Sequence, residues 1–475
     1  MGTGKEIEVV GVELEFLPVE TRVPLKFGAQ VLERVICARA RVRVRRLSDG
    51  WEKLGIGETP LSVPWVWPGG DLSYGEKERA MVGFCELIAE RLPGAGLSGH
   101  AMELGYDFIE EVLPELVEAF SGDLPEGAEL PELAALVCFS LFDLAIHDGY
   151  GVVHGVKTYE TYTGEWMERD LADFVDVAKD MRGGDLSFAG KYPGDFLVAA
   201  PADGRIPVWH LVGGLDALEK EDLTGDASVT LDPDAPGGAK PPDDGYPFYL
   251  RDWIRTDGLK CLKVKLRGND EGWDYERLVK IGRIAAEEGV DWLSTDFNCT
   301  VTDPEYVNGI LDRLKGEERG TWDKILYVEQ PFPYDLEANR IEVGSVSERK
   351  PLFLDESAHD WRYVRLGREL GWTGVALKTC KTQTGALLSL CWAKAHGMDL
   401  MVQDLTNPML AQVPHVLLGA HAGTIMGVES NGMQFYPEAS VREAAVHPGL
   451  YRRREGVLDF STLEGAGFGY GAALR

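Results

Sequence analysis

The sequence predicts an α/β protein in two parts, an N-terminal α+β capping domain followed by a parallel (β/α)8 barrel of the TIM type. Three observations carry this reading. Apolar and polar residues alternate from 7 to 46, helical three-and-four spacing follows to about 151, and eight short apolar runs alternate with helical segments from 206 to 455.

The strands come first. Val31-Leu32-Glu33-Arg34-Val35-Ile36 and Ala40-Arg41-Val42-Arg43-Val44 read as antiparallel strands with one wet face. Phe108, Ile109, Val112, Leu113, Leu116 and Phe120 then share one helical face, and Pro114 inside that stretch requires the helix to begin or kink there. Ala134, Val137, Leu141, Leu144 and Ala145 mark a second helix that stops near Gly149 and Gly151. Residues 1–151 therefore form the capping domain, and 152–205, rich in Gly, Asp and Tyr, read as an insertion or linker. Barrel strands are placed at 208–212, 261–266, 292–293, 325–328, 352–354, 374–377, 400–402 and 424–428, within a catalytic domain of 206–455. Strands buried on both faces and joined by crossovers make a parallel sheet, and a segment of roughly 250 residues closes it most simply as a barrel. Residues 456–475 are expected to return to the capping domain.

Composition narrows the function. The 475 residues are 44% hydrophobic and 27% charged, those of an ordinary globular chain, and their formal net charge is −30. A surface this acidic repels phosphate backbones and anionic bilayers, so neither nucleic acid nor a membrane is an expected partner. The seven cysteines are scattered, with no C-x-x-C pair, which points away from a zinc knuckle or a disulfide framework and toward a reducing cytoplasm. No signal-peptide pattern and no uninterrupted apolar run of about 18 residues is read in the chain.

In a barrel of this type, functional side chains come from the C-terminal ends of the strands. Those ends are ordered here. The second run carries Lys263-Val264-Lys265, the third ends in Asp296-Phe297-Asn298, the fourth in Glu329-Gln330-Pro331, the fifth in Asp355-Glu356-Ser357 and the sixth in Lys378. Any one of these carboxylates alone reads as a solvated strand end; three in register at one mouth repel each other unless a cation joins them. Ligands made only of oxygen suit a hard ion, Mg²⁺ before Mn²⁺, held by Asp296, Glu329 and Asp355. Lys263 and Lys265 share parity, and with Leu262, Val264 and Leu266 facing the helices both point inward. Burial and crowding are expected to lower their pKa into the range of a general base. Lys378 enters from the opposite side of the ring, with Lys381 as the competitor for its role.

At these residues the chain resembles the enolase superfamily, in particular the muconate lactonizing enzyme subgroup of the mandelate racemase/muconate lactonizing enzyme family. The match spans most of the chain, through the Lys-x-Lys pair, the Asp-x-Asn, Glu-Gln-Pro and Asp-Glu-Ser motifs and the sixth-strand Lys378. The resemblance implies a modified (β/α)7β barrel closed by the capping domain, and Mg²⁺-dependent removal of a proton α to a carboxylate. The resulting enediolate would be held by the metal and by Lys263. A racemase or epimerase using Lys265 and Lys378 on opposite faces is expected first; a cycloisomerase or dehydratase with the same metal site, or a catalytically silent carboxylate or metal binder, are the alternatives. The mandelate racemase type is disfavoured because the seventh run ends Val402-Gln403-Asp404 and the sixth ends in Lys378, leaving His396 and His415 in helix or loop positions.

The partner expected is a small-molecule carboxylate. Dipeptide epimerases of the subgroup carry Asp-x-Asp at the eighth strand, where this chain has Glu429-Ser430-Asn431. Specificity is assigned to capping-domain loops at 23–27 and 57–70, the latter carrying Trp65 and Trp67, which line a substrate pocket or pack beneath the loop. Asn298, Gln403, Asp404, Asn407 and Glu429 are further pocket candidates. A homo-oligomer is expected.

Overall fold

The computed structural model describes residues 4–184, 186–223 and 241–475. The N-terminal sheet is antiparallel, in the order β3-β2-β1-β4, built from β1 (Ile7–Phe27), β2 (Gln30–Arg46), β3 (Glu52–Pro60) and the short β4 (Ser98–Gly99). Strands β1 and β2 form one long hairpin, irregular between Glu20 and Leu25, whose tip at Gly28 comes against Asn298 of the second domain. Its length delivers Phe27 to the barrel mouth.

Residue 57 corrects the expected loop at 57–70. Gly57 lies inside β3, where a Cβ would meet the backbone of Leu141 and Ala145, so only glycine lets the helix Glu132–His154 rest directly on the strand. Glycine reads as a turn in the sequence, and here it marks close approach. The irregular part is shorter, and Trp65 lies on a single helical turn, Val63–Val66.

Pro114 acts as its chemistry requires. The helix Ala101–Asp107 widens through a π turn at Phe108–Val112, and a new helix, Leu113–Gly122, starts with the proline in its first turn. Glu132–His154 is buried along nearly its whole length and ends on Gly155 at φ +73°. That helix is long and apolar enough to cross a bilayer, but 94% of its apolar window is buried inside the protein.

Among the described residues of 158–195 the helical structure is limited to short 3-10 turns, yet Tyr162, Leu171, Phe174 and Phe188 are buried in the apolar shell around the barrel. Eight parallel strands follow: β5 (Arg205–Val212), β6 (Cys261–Lys265), β7 (Trp292–Asp296), β8 (Ile325–Glu329), β9 (Leu352–Leu354), β10 (Gly374–Leu377), β11 (Asp399–Val402) and β12 (Val428–Glu429). Their order, β11-β10-β9-β8-β7-β6-β5-β12, makes a nearly closed barrel. The last strand starts later than the sequence suggested, because Thr424 spends its hydroxyl on the Gly427 carbonyl in a turn. A final strand, β13 (Val457–Asp459), pairs antiparallel with β5, and beyond it Arg475 bonds Asp148 on the capping helix through both guanidinium nitrogens.

Candidate active site

The barrel interior is stacked in layers, because alternate residues of each strand point inward. Near the bottom, Trp209, Cys261, Tyr327, Phe353 and Met401 pack into a small buried cluster. One step up each strand, the inward residues become Leu211, Lys263, Glu329, Asp355 and Gln403, and at the rim Lys265, Asp296, Lys378 and Glu429. Strand register carries this order, pairing Lys263 with Ser294, Lys265 with Asp296, and Asp296 with Glu329.

Lys263 is the hub. Its ammonium lies 2.6 Å from Glu329, 3.1 Å from Glu429, 3.2 Å from Asp296 and 3.0 Å from the Gln403 side-chain oxygen. Lys265 donates to Asp296 at 2.5 Å, and Lys378 lies 3.0 Å from Asp355 while donating to the Asp404 carbonyl. Lys381 turns away from the cavity, donating to the carbonyls of Asp355 and Ala358, so it braces the loop behind Lys378.

The expectation of a depressed lysine pKa is overturned for Lys263. Burial works against the Lys263 ammonium, but Glu329, Glu429 and Asp296 together push its pKa well above the usual value. Lys378 behaves alike: Asp355 outweighs desolvation and raises it. Sequence reasoning counted the desolvation and the neighbouring lysines and undercounted the carboxylates. Burial and Asp296 in turn push the Glu329 carboxyl well above its usual range, while Asp355, despite burial, is held low by Lys378 and Lys381.

The three expected metal ligands sit at the ends of adjacent strands, each at most 1% exposed. Asp296 and Glu329 share the Lys263 ammonium, whereas Asp355 is drawn toward Lys378 and Lys381, and among the described residues no three acidic, histidine or cysteine side chains are closed around one point. The expected three-carboxylate grip is thus replaced by pairwise contacts to lysines. The donor chemistry still fits a hard divalent ion: Lys263, Lys265, Lys378 and Lys381 are buried with Asp296, Glu329, Asp355, Glu356, Asp404 and Glu429, leaving two negative charges in excess when all are ionised.

Sequence reasoning missed Glu356. Neighbours on a strand point to opposite faces, but β9 ends at Leu354, so Asp355 and Glu356 lie past the pleat and both turn inward. Glu356 accepts from the Trp65 indole at 2.9 Å and from Asn298 at 3.3 Å, and burial with Asp355 and Asp296 nearby raises its pKa. The two tryptophans separate. Trp65 lines the cavity with Lys378 5.2 Å from its ring, whereas Trp67 packs under the loop with its carbonyl bonded to Lys77 and is absent from the lining.

The cavity joins both domains: Leu25, Phe27, Leu32 and Trp65 from the cap line it together with Lys263, Lys265, Lys378 and Glu429 of the barrel. Asp404 lines it too, with its carboxylate satisfied by the backbone N–H groups of Asn407 and Asn431. Asn407 braces that turn, accepting from the Leu405 N–H. Gln403 bridges Lys263 and Glu329, and Asn298, at φ +47°, lies at the hairpin tip. His396 stacks on Trp392 and accepts from the Ala178 N–H, and His415 bonds the Glu429 carbonyl; neither lines the cavity.

Solved structures share the fold across nearly the whole chain. A muconate lactonizing enzyme from Mucobacterium smegmatis complexed with muconolactone superposes with a TM-score of 0.60 at 16% identity, covering 97% of this chain and 96% of its own. A dipeptide epimerase from Enterococcus faecalis V583, complexed with Mg and the dipeptide L-Leu-L-Tyr, gives 0.59 at 15% identity, with coverage of 97% and 99%. The fold is the one these solved enzymes have. An N-succinyl Arg/Lys racemase from Bacillus cereus ATCC 14579 has a similar fold, with a TM-score of 0.59 at 13% identity over 97% of this chain and 95% of that one. No family model and no curated protein matches the sequence.

Proposed function

We propose that this protein is a racemase or epimerase that removes the proton α to a carboxylate and returns one to the opposite face. The observation that carries this is the placement of Lys265 and Lys378. They stand on β6 and directly after β10, strands four positions apart in a ring of eight, and line one cavity over a floor of carboxylates.

In this reading the acid enters with its carboxylate toward Lys263 and its apolar part against Leu25, Phe27 and Trp65. Lys265 takes the α-proton from one face and Lys378 delivers a proton to the other, the roles reversing with the enantiomer supplied. Lys263, fixed by three carboxylates, holds its charge beside the oxygens of the enediolate, and Glu429, Gln403 and Asn298 orient them. Asp404 holds Lys378 in place through its carbonyl. Asp296, Glu329 and Asp355 would hold Mg²⁺ or Mn²⁺. When bound, that ion supplies positive charge for the substrate carboxylate and offsets the excess of buried carboxylates. The site takes a small-molecule acid, and a cytoplasmic homo-oligomer remains the setting we infer from composition and resemblance.

A second reading, a cycloisomerase or lyase, is favoured by the Lys378–Asp355 ion pair, which suits a lysine acting as a fixed charge. Incubation with Mg²⁺ in D₂O against N-acylamino, aryl and sugar acids separates the two. Deuterium entering both enantiomers, and lost on both faces only when Lys265→Ala and Lys378→Ala are combined, supports racemisation. Ring closure or loss of water without exchange supports the second reading. If both single variants left exchange intact, the two-base proposal would be falsified.

A further inference from the structure

A buried polar chain joins the central helix of the cap to the loop that carries Lys378. Asp143 accepts from the Thr384 N–H at 2.9 Å and from its hydroxyl at 2.8 Å. The hydroxyl, having donated, must accept from His147 Nε2 at 3.0 Å, so Nδ1 is the acceptor and takes the Tyr162 hydroxyl, also at 3.0 Å. The Tyr162 oxygen then accepts from Gln383 at 3.3 Å. One tautomer, the neutral Nε2–H imidazole, satisfies every link. Asp143, His147, Thr384, Gln383 and Tyr162 are all fully buried.

The geometry is held from both sides. A Cβ on Gly105 would meet both the Asp143 carboxylate and the Thr384 hydroxyl, so glycine there keeps the contact open. On the barrel side, Thr382 has φ +71°, an unfavourable conformation for a β-branched residue, and its hydroxyl accepts from the Gly385 N–H. The strained residue lies between Thr384, clamped to the cap, and the turn Thr379–Lys381, whose Lys381 N–H bonds the Lys378 carbonyl at 3.1 Å.

We propose that Asp143 and Thr384 are positioning residues for Lys378: the cap, through this clamp, sets where the sixth-strand lysine stands in the cavity. The proposal rests on the two-base reading, and its first test does not depend on turnover. In Thr384→Val, hydrogen exchange of residues 376–384 is expected to rise at least about tenfold while residues 292–298 keep their protection. Unchanged protection at 376–384, or loss throughout the chain, overturns it. The second test is isotopic. With the face served by Lys378 defined by Lys378→Ala, Thr384→Val and Asp143→Asn should slow α-exchange on that face by about tenfold to a hundredfold, as a misplacement near 1 Å does. The Lys265 face should change less than about twofold, and Thr384→Ser should restore the rate. Equal slowing on both faces would mean a merely structural clamp and sinks the proposal. If no acid is exchanged by the intact protein, the reading under Proposed function fails while the protection result still decides this one.

Discussion

The lower and upper layers of the barrel interior are built on the same strands with the same parity, yet one is apolar and the other carries charges that cannot all be satisfied at once. Trp209, Cys261, Tyr327, Phe353 and Met401 fill the bottom; two residues further along, the same strands present Lys263, Glu329, Asp355 and Gln403. Close packing below makes a rigid, dry floor, and the charges above sit on it with no route to relax into water. Stability is expected to rest on the lower layer and the proposed chemistry on the upper.

The largest expected effect comes from the upper layer. Lys265→Ala should lower α-exchange by about 10²–10⁴-fold on the face it is proposed to serve, the usual contribution of a positioned base, while leaving the thermal midpoint nearly unchanged. Deuterium uptake by mass spectrometry and a melting curve on the same sample check both halves. Phe353→Ala tests the floor in the opposite sense. It should cost about 3–5 kcal/mol in denaturant unfolding, because a buried ring leaves a cavity. Equal losses of stability from both substitutions would break the division of labour.

Metal removal probes the boundary between the layers. If the two excess charges are met by a divalent ion, adding Mg²⁺ at a hundred times its Kd should stabilise the fold by about 2.7 kcal/mol, and chelation should remove that gain. Glu329→Gln removes one ligand charge and should shrink the Mg²⁺-dependent shift in melting temperature. Calorimetry with and without chelator reads it; a midpoint indifferent to Mg²⁺ counts against the metal assignment.

Much of this was legible because barrels repeat one rule. The strand-end motifs carrying Lys263, Asp296, Glu329, Asp355 and Lys378 could be read in order, since each followed an apolar run, and the cap's strands were visible in their alternation. What escaped did so for local reasons. Gly57 looked like a loop because sequence does not show a helix lying against it. Glu356 was hidden behind the parity rule, which lapses where the strand stops. Trp67 sits two residues from Trp65, but a single helical turn sends the two side chains apart. The raised pKa of Lys263 depends on Glu429, a residue of the last strand whose proximity only the closed ring reveals.

The smallest effect concerns the clamp between the cap and the charged layer, and its sign follows from two opposed groups. Burial lowers the His147 pKa from 6.5 to about 3, so the unfolded chain takes up this proton first, and stability falls as pH drops from about 6.5 toward 3. Burial raises the Asp143 carboxyl from 3.8 to about 6, so here the folded chain is protonated first, and stability rises as pH drops from about 6 toward 3.8. Each group alone contributes about 1.4 kcal/mol per pH unit inside its window, and the slopes oppose between 6 and 3.8. The pair should therefore leave the fold nearly insensitive to pH in that interval. Asp143→Asn removes the compensation, and the stability difference between the variant and the original protein should widen by about 1.4 kcal/mol for each unit that pH is lowered from 6 to 4. Urea unfolding at three pH values measures that slope; a difference that stays constant across them would show that the Asp143 carboxyl is still ionised in the fold at pH 4 and that burial does not raise it.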